Sequence, residues 1–464
     1  LYVKSLDIRS VELIWFAALV NGTLTDGTDY TFSDSYSSAE EEEPNACLYS
    51  KSDLVIAGSG SLTVNANYNN GITGKDTLFI QKASVTVTAV NHGINGKDSL
   101  TIKDADITVT SGGDALRSTN DSDTTLGYLV ITGSALKLTA GEDGIQAETT
   151  LTISGGTATV TTAGGAGQSI SDDTSAKGLK AGTQVAVTGG TLQLNCCDDA
   201  IHSNGDVTIS GGSFTIATGD DGMHADDTLS ISSGTIDITR SYEGLEGAKV
   251  LISGGKISIV ASDDGINAAG GSDQSGFGGF GFAPDAFGGS GDYLIRISGG
   301  VVTVNASGDG IDSNGDIEVT GGELYISGPT SNGDGTIDRD GSATITGGIV
   351  VAAGSTGMAE NFGTASTQGS ILVNLSGSAG QTITLKDSDG NILASFTPAK
   401  AFGCVVVSAP GVAQGGTYTI AAGGASTTVT MESLIYGSGM GDPGNMGGGQ
   451  QPPQGGMGGP DNRG

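Results

Sequence analysis

A short word repeated twelve times constrains this chain more than any other feature. The word is a small residue, an aliphatic residue, a polar residue and another small residue, usually preceded by acids. With the aliphatic residue as a marker, the copies are Leu48, Ile72, Ile94, Leu116, Ile145, Leu179, Ile201, Met223, Leu245, Ile266, Ile311 and a degenerate Ile337. Most successive markers are 21 to 26 residues apart, and gaps of 29, 34 and 45 contain insertions. A steady period near 22 residues is typical of a solenoid, in which each repeat packs only on its neighbours.

Each repeat divides into three short strands. In one copy, residues 206–209 follow the marker strand, a Ser210-Gly211-Gly212 corner comes next, and residues 213–216 alternate between apolar and polar. Such alternation is the period of a strand with one buried face. The inward Ile216 lies seven residues before the marker Met223, and other repeats keep this offset, so equivalent side chains stack. We therefore predict an all-β chain that forms a right-handed parallel β-helix of about 12 coils.

Changes in composition divide the chain into four segments. Residues 1–45 are expected to be an N-terminal coil or cap, truncated in this sequence, and residues 46–348 the β-helix repeats. A Gly- and Phe-rich insertion is expected at residues 270–292. Residues 349–436 lose the repeat and predict a small C-terminal β cap with an Asp389-Gly390 hairpin turn. The Gly/Met/Pro/Gln-rich tail, residues 437–464, is expected to be disordered.

The charge balance limits the partners. The chain has 51 acidic and 19 basic residues, a formal net charge of −32. Such a surface repels nucleic acid and anionic membranes and favours cations or neutral ligands. The apolar run at residues 11–20 is too short to cross a bilayer, so we expect no membrane insertion.

Acidic residues recur two positions before the marker. Stacking places them in one column, where neighbouring carboxylates repel by roughly 1 kcal/mol or more per pair. Ca²⁺, which takes about six to eight oxygen ligands in flexible geometry, relieves this repulsion better than Mg²⁺. The alternative is that each Asp caps its own turn. The candidate ligands in and beside the column are Asp143, Asp198, Asp199, Asp220, Asp221, Glu243, Asp263, Asp264 and Asp309.

Three basic residues belong to the same part of the repeat. Lys177 occupies the acidic column between Asp143 and Asp199, whereas Arg117 and Lys180 directly follow their markers. Beside Ca²⁺, such a residue could take the proton α to a metal-polarised uronate carboxylate. The alternative is neutralisation of the acidic stack, so we assign no catalytic residue. We predict that the three basic residues contact the ligand.

Two further columns have weaker implications. His202 and His224 are expected one strand spacing apart, but no third ligand of the same kind is evident, so solvated surface imidazoles are expected rather than a zinc pair. Outward threonines form a broken ladder that could contact a neutral sugar, although Thr is also a good outward strand residue. They are Thr63, Thr86, Thr108, Thr159, Thr215 and Thr303.

Together with the repeats, residues 327–335 (SGPTSNGDG) and 357–360 (GMAE) resemble one family. It is the family of secreted Gram-positive carbohydrate-binding proteins that look like polysaccharide lyases, known from cellulolytic clostridia. The resemblance covers nearly the whole chain. It implies a β-helix similar to pectate lyases and attachment to plant cell-wall polysaccharide, acidic or neutral. It also implies calcium held by Asp-Asp-Gly corners, matched here at Asp198/Asp199, Asp220/Asp221 and Asp263/Asp264.

Three functions remain open from the sequence. The leading hypothesis is calcium-dependent binding of plant cell-wall polysaccharide, acidic pectic chains or cellulose, by a secreted non-catalytic β-helix. The second is a pectate-lyase-like enzyme that works by β-elimination with Ca²⁺ and Lys180, Lys177 or Arg117. The third is a structural surface adhesin. We expect an extracellular or cell-surface monomer whose signal peptide is missing from this sequence.

Overall fold

The computed structural model describes residues 2–3, 22–26, 30–33, 45–171, 174–269 and 292–437. Every regular element in these residues is a β-strand, and none of them forms a helix that could cross a membrane. The predicted all-β repeat fold is confirmed, because the strands stack in parallel into a β-solenoid of about 13 turns with a 22-residue period. Most of the predicted N-terminal segment, nearly all of the Gly- and Phe-rich insertion, and residues 438–464 lie outside the described residues.

The strands are numbered in chain order. Those of the solenoid are β1 (Tyr2–Val3), β2 (Gly22–Asp26), β3 (Tyr30–Ser33), β4 (Ala46–Ser50), β5 (Leu54–Gly58), β6 (Ser61–Ala66), β7 (Asn70–Gly74), β8 (Thr77–Gln81), β9 (Ser84–Ala89), β10 (Ile94–Gly96), β11 (Ser99–Lys103), β12 (Asp106–Ser111), β13 (Leu116–Ser118), β14 (Tyr128–Thr132), β15 (Ala135–Ala140), β16 (Ile145–Ala147), β17 (Thr150–Thr162), β18 (Leu179–Ala181), β19 (Gln184–Cys196), β20 (Ile201–Ser203), β21 (Asp206–Ile209), β22 (Ser213–Thr218), β23 (Met223–Ile231), β24 (Thr235–Ser241), β25 (Leu245–Ala261), β26 (Ile266–Ala268), β27 (Leu294–Asn305), β28 (Ile311–Ser313), β29 (Asp316–Ser327), β30 (Ile337–Arg339), β31 (Ala343–Ile345) and β32 (Ile349–Gly354). Those of the C-terminal region are β33 (Ser370–Gly377), β34 (Ile383–Lys386), β35 (Ile392–Phe396), β36 (Phe402–Ser408), β37 (Thr417–Ala422), β38 (Ala425–Thr430) and β39 (Ile435–Tyr436).

Each turn of the solenoid has three sides, as the repeat predicts. We call them the marker side, the second side and the third side, and β20, β21 and β22 form one complete set. From β2 onward, equivalent strands of successive turns pair in parallel, and the markers pair one to one, as Ile201 does with Met223. The short β1 instead pairs antiparallel with β4. The one-to-one pairing of markers continues across the longest insertion, where Ile266 pairs with Ile311. The insertions therefore leave the marker ladder intact.

The core is a set of aliphatic ladders inside the solenoid. All twelve markers are fully buried, each 0% exposed. On the third side, Phe214 and Ile216 pair with Leu192 and Leu194 of the preceding turn, and all four are buried. Because apolar burial supplies about 25 cal/mol per Å², continuous ladders of this kind provide the main stabilisation of the fold.

Glycines and other small residues have two structural roles in the repeat. A Cβ atom on Gly222, directly before a marker, would lie 2.4 Å from the carbonyl oxygen of Gly244 in the next turn, so this backbone position requires glycine unless the neighbouring turn shifts. The second glycine of each corner needs a left-handed backbone, with φ of 111° at Gly190 and 103° at Gly212. These requirements explain both recurring sequence motifs, the small residue before the marker and the Gly-Gly corner.

The C-terminal end of the solenoid is covered by antiparallel strands. Strand β32 still pairs in parallel with β29, so the stacking continues past residue 348, and β36 pairs antiparallel with β32. Strands β35, β34, β37 and β38 form a separate four-stranded sheet, and the predicted Asp389-Gly390 turn connects β34 with β35. The region therefore caps an edge that would otherwise offer unpaired backbone groups to another chain.

Candidate functional site

One column of polar side chains lies just before the marker strands. Its members precede their markers by two residues, and the parallel pairing of the markers places them one turn apart. We call the set the acidic column: Asn70, His92, Asp114, Asp143, Lys177, Asp199, Asp221, Glu243, Asp264 and Asp309. Six of the nine predicted metal ligands are members, and Asp198, Asp220 and Asp263 directly precede members.

Carboxylates of the acidic column cap the backbone of the next turn. Oδ1 of Asp143 accepts a hydrogen bond from the Lys177 N–H at 2.8 Å. The same bond recurs from Asp143 to Asp114, from Asp221 to Asp199, from Glu243 to Asp221 and from Asp309 to Asp264, at 2.6–3.2 Å. The alternative that these aspartates cap backbone groups is therefore correct. Each one, however, caps an N–H of the following turn and not of its own turn. One oxygen of each capping aspartate is therefore committed to the fold, namely in Asp114, Asp143, Asp199, Asp221 and Asp264.

A second column lies beside the first. It contains the residue directly after each marker from Ile94 onward, and these residues pair with their equivalents in register. We call it the outward column: Asn95, Arg117, Gln146, Lys180, His202, His224, Glu246, Asn267, Asp312 and Asp338. Glu246 and Asn267 were missed from the sequence, although the polar residue after every marker was a usable signal. The remaining oxygens of the acidic column face this second column.

Basic residues occupy the N-terminal half of the two columns. Arg117 lies 2.8 Å from Nε2 of His92 and 3.3 Å from Oδ2 of Asp114. Although burial opposes it, the hydrogen bonds and charges of His92 and Arg117 hold the pKa of Asp114 below its usual value. Lys180 lies 3.3 Å from Oδ2 of Asp143. The side chains of Arg117 and Lys180 keep 23% and 26% exposure, so a ligand can reach both.

Lys177 has a different environment. Its ammonium donates to Asp198 at 3.0 Å and to Asp199 at 2.6 Å, and its side chain is 6% exposed. Against the effect of burial, its charge lowers the pKa of Asp199 well below the usual value. Asp198, Asp199 and Asp220 form a group with carboxylate oxygens within 4.8 Å of one another, but Lys177 already neutralises two of them. Here Lys177 is the counter-ion, and ligand contact by this residue stays a prediction.

The two central histidines are buried. His202 and His224 stack with ring centroids 4.9 Å apart, which confirms the expected strand spacing. They are 4% and 1% exposed, so the expectation of solvated surface imidazoles is wrong. The reason is that carboxylates of both columns enclose the rings: His202 Nδ1 lies 2.9 Å from Asp199, and His224 Nδ1 lies 2.5 Å from Glu246 and 3.3 Å from Asp221.

An all-oxygen group lies at the C-terminal end of the columns. One carboxylate oxygen from each of Asp264, Asp309 and Asp312 lies within 4.8 Å of the others, and all three residues are half-buried. Burial and the neighbouring carboxylates raise the pKa of Asp264 to about 10 and that of Asp309 to about 8. Together these groups hold more negative charge than the protein alone can accommodate in ionised form.

Asn267 lies next to this group in the outward column. Its amide nitrogen donates to both carboxylate oxygens of Glu243, at 3.1 and 3.0 Å. Its side-chain oxygen is buried and accepts no hydrogen bond from the described part of the chain. Asn267 pairs with Asp312 in the next turn, so this oxygen, which has no partner among the described residues, belongs to a residue beside the carboxylate group.

The threonine ladder lies on the third side of the solenoid. Thr63, Thr86 and Thr108 are in register, and the ladder continues through Lys137 to Thr159. Thr86, Lys137 and Thr159 are exposed. This side presents a regular, mostly uncharged sheet surface to solvent.

Comparison with known proteins identifies one family. A family profile described as a carbohydrate-binding domain-containing protein matches residues 14–222 and again 220–436. A curated protein of Acetivibrio thermocellus with the same description is 42% identical over 89 residues, which are 19% of this chain and 29% of that protein. The match therefore spans less than a third of this relative. No solved structure matches the chain.

Proposed function

Because this chain belongs to the family of carbohydrate-binding domain-containing proteins, we propose that it binds plant cell-wall polysaccharide and depends on Ca²⁺ for acidic pectic chains. The family supports a polysaccharide partner. The observation that carries the metal dependence is the all-oxygen group of Asp264, Asp309 and Asp312. The proposed setting is extracellular.

The donors of this group suit a hard cation. Ca²⁺ prefers carboxylate and carbonyl oxygens and accepts irregular geometry. The group offers three carboxylates, and Asn267 adds a buried neutral oxygen that has no partner among the described residues. The raised pKa values of Asp264 and Asp309 mean that a cation would replace protons there. Ca²⁺ bound by these residues would supply positive charge that can hold a uronate carboxylate.

The charge of the whole chain makes such a bridge necessary. At −32 the protein repels polygalacturonate unless a cation or local basic residues intervene. Lys180 and Arg117 are partly exposed in the same outward column as Asp312. Lys180 precedes Asp312 by five strand spacings, roughly 24 Å at about 4.8 Å each. A pectic chain along the solenoid axis would therefore reach both the metal group and the basic residues.

The same separation favours binding over β-elimination. A lyase needs its base and its metal at one uronate, since the metal acidifies the proton that the base removes. Lys180 instead lies 3.3 Å from Asp143, and Lys177 is enclosed by Asp198 and Asp199. The basic residues and the all-oxygen group are placed to hold different sugars of one chain.

Neutral glucans such as cellulose are a second ligand class. The exposed threonine ladder of the third side is regular and mostly uncharged, with Thr86, Lys137 and Thr159 in register over successive turns. Hydroxyl and methyl groups at a strand spacing suit a flat sugar chain. Binding there would need no metal.

Co-sedimentation with insoluble pectin, in chelator and in Ca²⁺, tests the proposal. We expect Ca²⁺-dependent binding that is lost in Asp309→Asn and weakened in Lys180→Ala, with no rise in unsaturated uronate absorbance. Asp237→Asn, an exposed carboxylate on the third side, is the matched control for net charge and should bind normally. Undiminished binding in chelator would remove the metal bridge, and sustained release of unsaturated product would favour the lyase.

A further inference from the structure

We propose that His202, His224, Asp221 and Glu246 hold a borderline transition-metal ion such as Zn²⁺, at a site chemically distinct from the all-oxygen group. Two overlapping groups of ligand atoms carry the inference. One atom from each of Asp199, His202 and His224 lies within 4.8 Å of the others, and the same is true of Asp221, His224 and Glu246. His224 belongs to both groups, so the ligand atoms converge around its ring.

The ladders hold these side chains in place. His202, His224 and Glu246 are paired residues on three successive strands of the outward column. Asp221 uses Oδ1 to accept the Glu243 N–H at 3.2 Å, which turns Oδ2 towards His224. Fixed partners of this kind orient metal ligands in known sites. Ligand atoms around a tetrahedral Zn²⁺ lie roughly 3.3 Å apart, which is less than the strand spacing of about 4.8 Å. The stacked imidazoles and the carboxylates would therefore rotate towards one another to bind one ion.

Nδ1 of His224 lies near two carboxylate oxygens, but a single N–H can donate a good hydrogen bond to only one of them. It lies 2.5 Å from Oε2 of Glu246 and 3.3 Å from Oδ2 of Asp221. A single N–H donates one good hydrogen bond, whereas a divalent cation in its place can bind the nitrogen and both carboxylates. A metal ion would also offset the like charges of Asp221, Glu243 and Glu246, which are all buried. Asp199 is excluded as a main ligand because Lys177 already binds its Oδ2 at 2.6 Å.

The donor types determine which cation fits. Imidazole nitrogens with carboxylates suit Zn²⁺, Co²⁺ and similar ions, whereas Ca²⁺ prefers oxygen alone. His202, His224, Asp221 and Glu246 are all buried, so the site is closed to a polysaccharide. Closed sites of this type are structural. The ion would join the turns of Ile201, Met223 and Leu245, and its role would be to tie three coils together.

Metal titration of the tag-free full chain, stripped by chelator, tests the site. Co²⁺ should give visible absorption bands, and one Zn²⁺ per chain should survive dialysis and raise the melting temperature. We expect both signals to be lost in His224→Gln and Glu246→Gln, with at least a tenfold weaker affinity in His202→Ala. Excess Ca²⁺ should not displace the bound ion.

The third histidine provides the matched control. His92 accepts a hydrogen bond from Arg117, whose positive charge disfavours a metal, so His92→Ala should keep full Zn²⁺ and Co²⁺ binding. Asp309→Asn should also keep it, which separates this site from the proposed calcium bridge. Circular dichroism establishes that each variant is folded before titration. Failure of the folded wild-type chain to retain Zn²⁺, or equal retention by folded His224→Gln, would overturn the proposal.

Discussion

The two oxygens of a carboxylate in the acidic column have different partners. In Asp143, one oxygen accepts the N–H of Lys177 in the next turn and the other faces Lys180. Substitution can therefore separate the two roles of Asp143, which are to cap the backbone and to supply a negative charge beside Lys180. Asn keeps an acceptor for the backbone and removes the charge, whereas Ala removes both.

We expect Asp143→Ala to destabilise the chain more than Asp143→Asn. In the alanine variant the buried Lys177 N–H loses its acceptor, which costs about 1–3 kcal/mol in the free energy of unfolding. Urea unfolding in chelator, followed by circular dichroism, measures the difference. Equal midpoints for the two variants would show that the backbone cap contributes nothing.

The carboxylates of the all-oxygen group predict a pH-dependent stability. The folded-state pKa is about 10 for Asp264 and about 8 for Asp309, far above the unfolded value near 4. At these two groups the folded state binds protons more tightly. Their contribution to stability in chelator is therefore present at low pH and is lost as pH rises from about 4 towards the folded-state values. Ca²⁺ should remove most of the fall, and Mg²⁺ much less.

Melting temperatures across about pH 4 to 10, in chelator and in Ca²⁺, measure this effect. Asp309→Asn should flatten the chelator profile between about pH 4 and 8 and reduce the gain from Ca²⁺. Asp237→Asn, which is exposed on the third side, should change neither. A profile that rises with pH in chelator would contradict the assignment.

Among the structural elements, the marker ladder is the least tolerant of charged substitutions. Each marker is sealed between its equivalents in the turns on either side, as Ile201 is between Leu179 and Met223. Outward positions of the same turn face solvent, as Thr215 does. The effect of a charged substitution on stability therefore depends on whether the side chain points into the core or towards solvent.

Ile201→Asp should collapse several turns at once. A buried carboxylate without a partner costs at least about 3 kcal/mol, and neighbouring turns lose their stacking surface with it. Thr215→Asp adds the same charge at an exposed position of the same turn and should change the melting temperature little. Thermal unfolding by circular dichroism compares the two. A native-like melting curve for Ile201→Asp would contradict the ladder.

At the scale of the molecule, the solenoid depends on covered ends. Strand β36 pairs with the last parallel strand, β32, from Val350 to Gly354. Without it, that edge would present a row of unpaired backbone groups. The high negative charge opposes association, but it does not satisfy those groups.

A chain that ends after Gly354 should associate or precipitate, because β32 loses its antiparallel partner. Light scattering coupled to size-exclusion chromatography measures the mass in solution. A chain that ends after Gly437 keeps every strand of the cap and is the control, expected to behave as the full chain does. A soluble monomer from the shorter chain would show that the cap is dispensable.

The sequence by itself determined the solenoid, its three sides and the membership of the acidic column. The outward column follows the same repeat, but Glu246 and Asn267 were not predicted as part of the site. A constant period makes every turn the neighbour of its own repeat, so the order of the markers from Leu48 to Ile337 is also their order in space. The corner glycines and the C-terminal hairpin turn follow from local backbone requirements in the same way. These predictions required only the repeat period and local backbone preferences, and no knowledge of contacts between distant parts of the chain.

Only the tertiary structure decided what each polar side chain binds. The direction of the carboxylate caps, the enclosure of Lys177 and the burial of His202 and His224 depend on how two columns from different parts of the repeat face each other. The Asn267 side-chain oxygen has no partner in the described part of the chain because the amide nitrogen donates to Glu243 of the preceding turn. Periodicity specifies which residues stack. The direction and the desolvation of each side chain, however, arise from packing between the two columns. That packing determines whether a polar residue acts as a counter-ion, a backbone cap or a ligand.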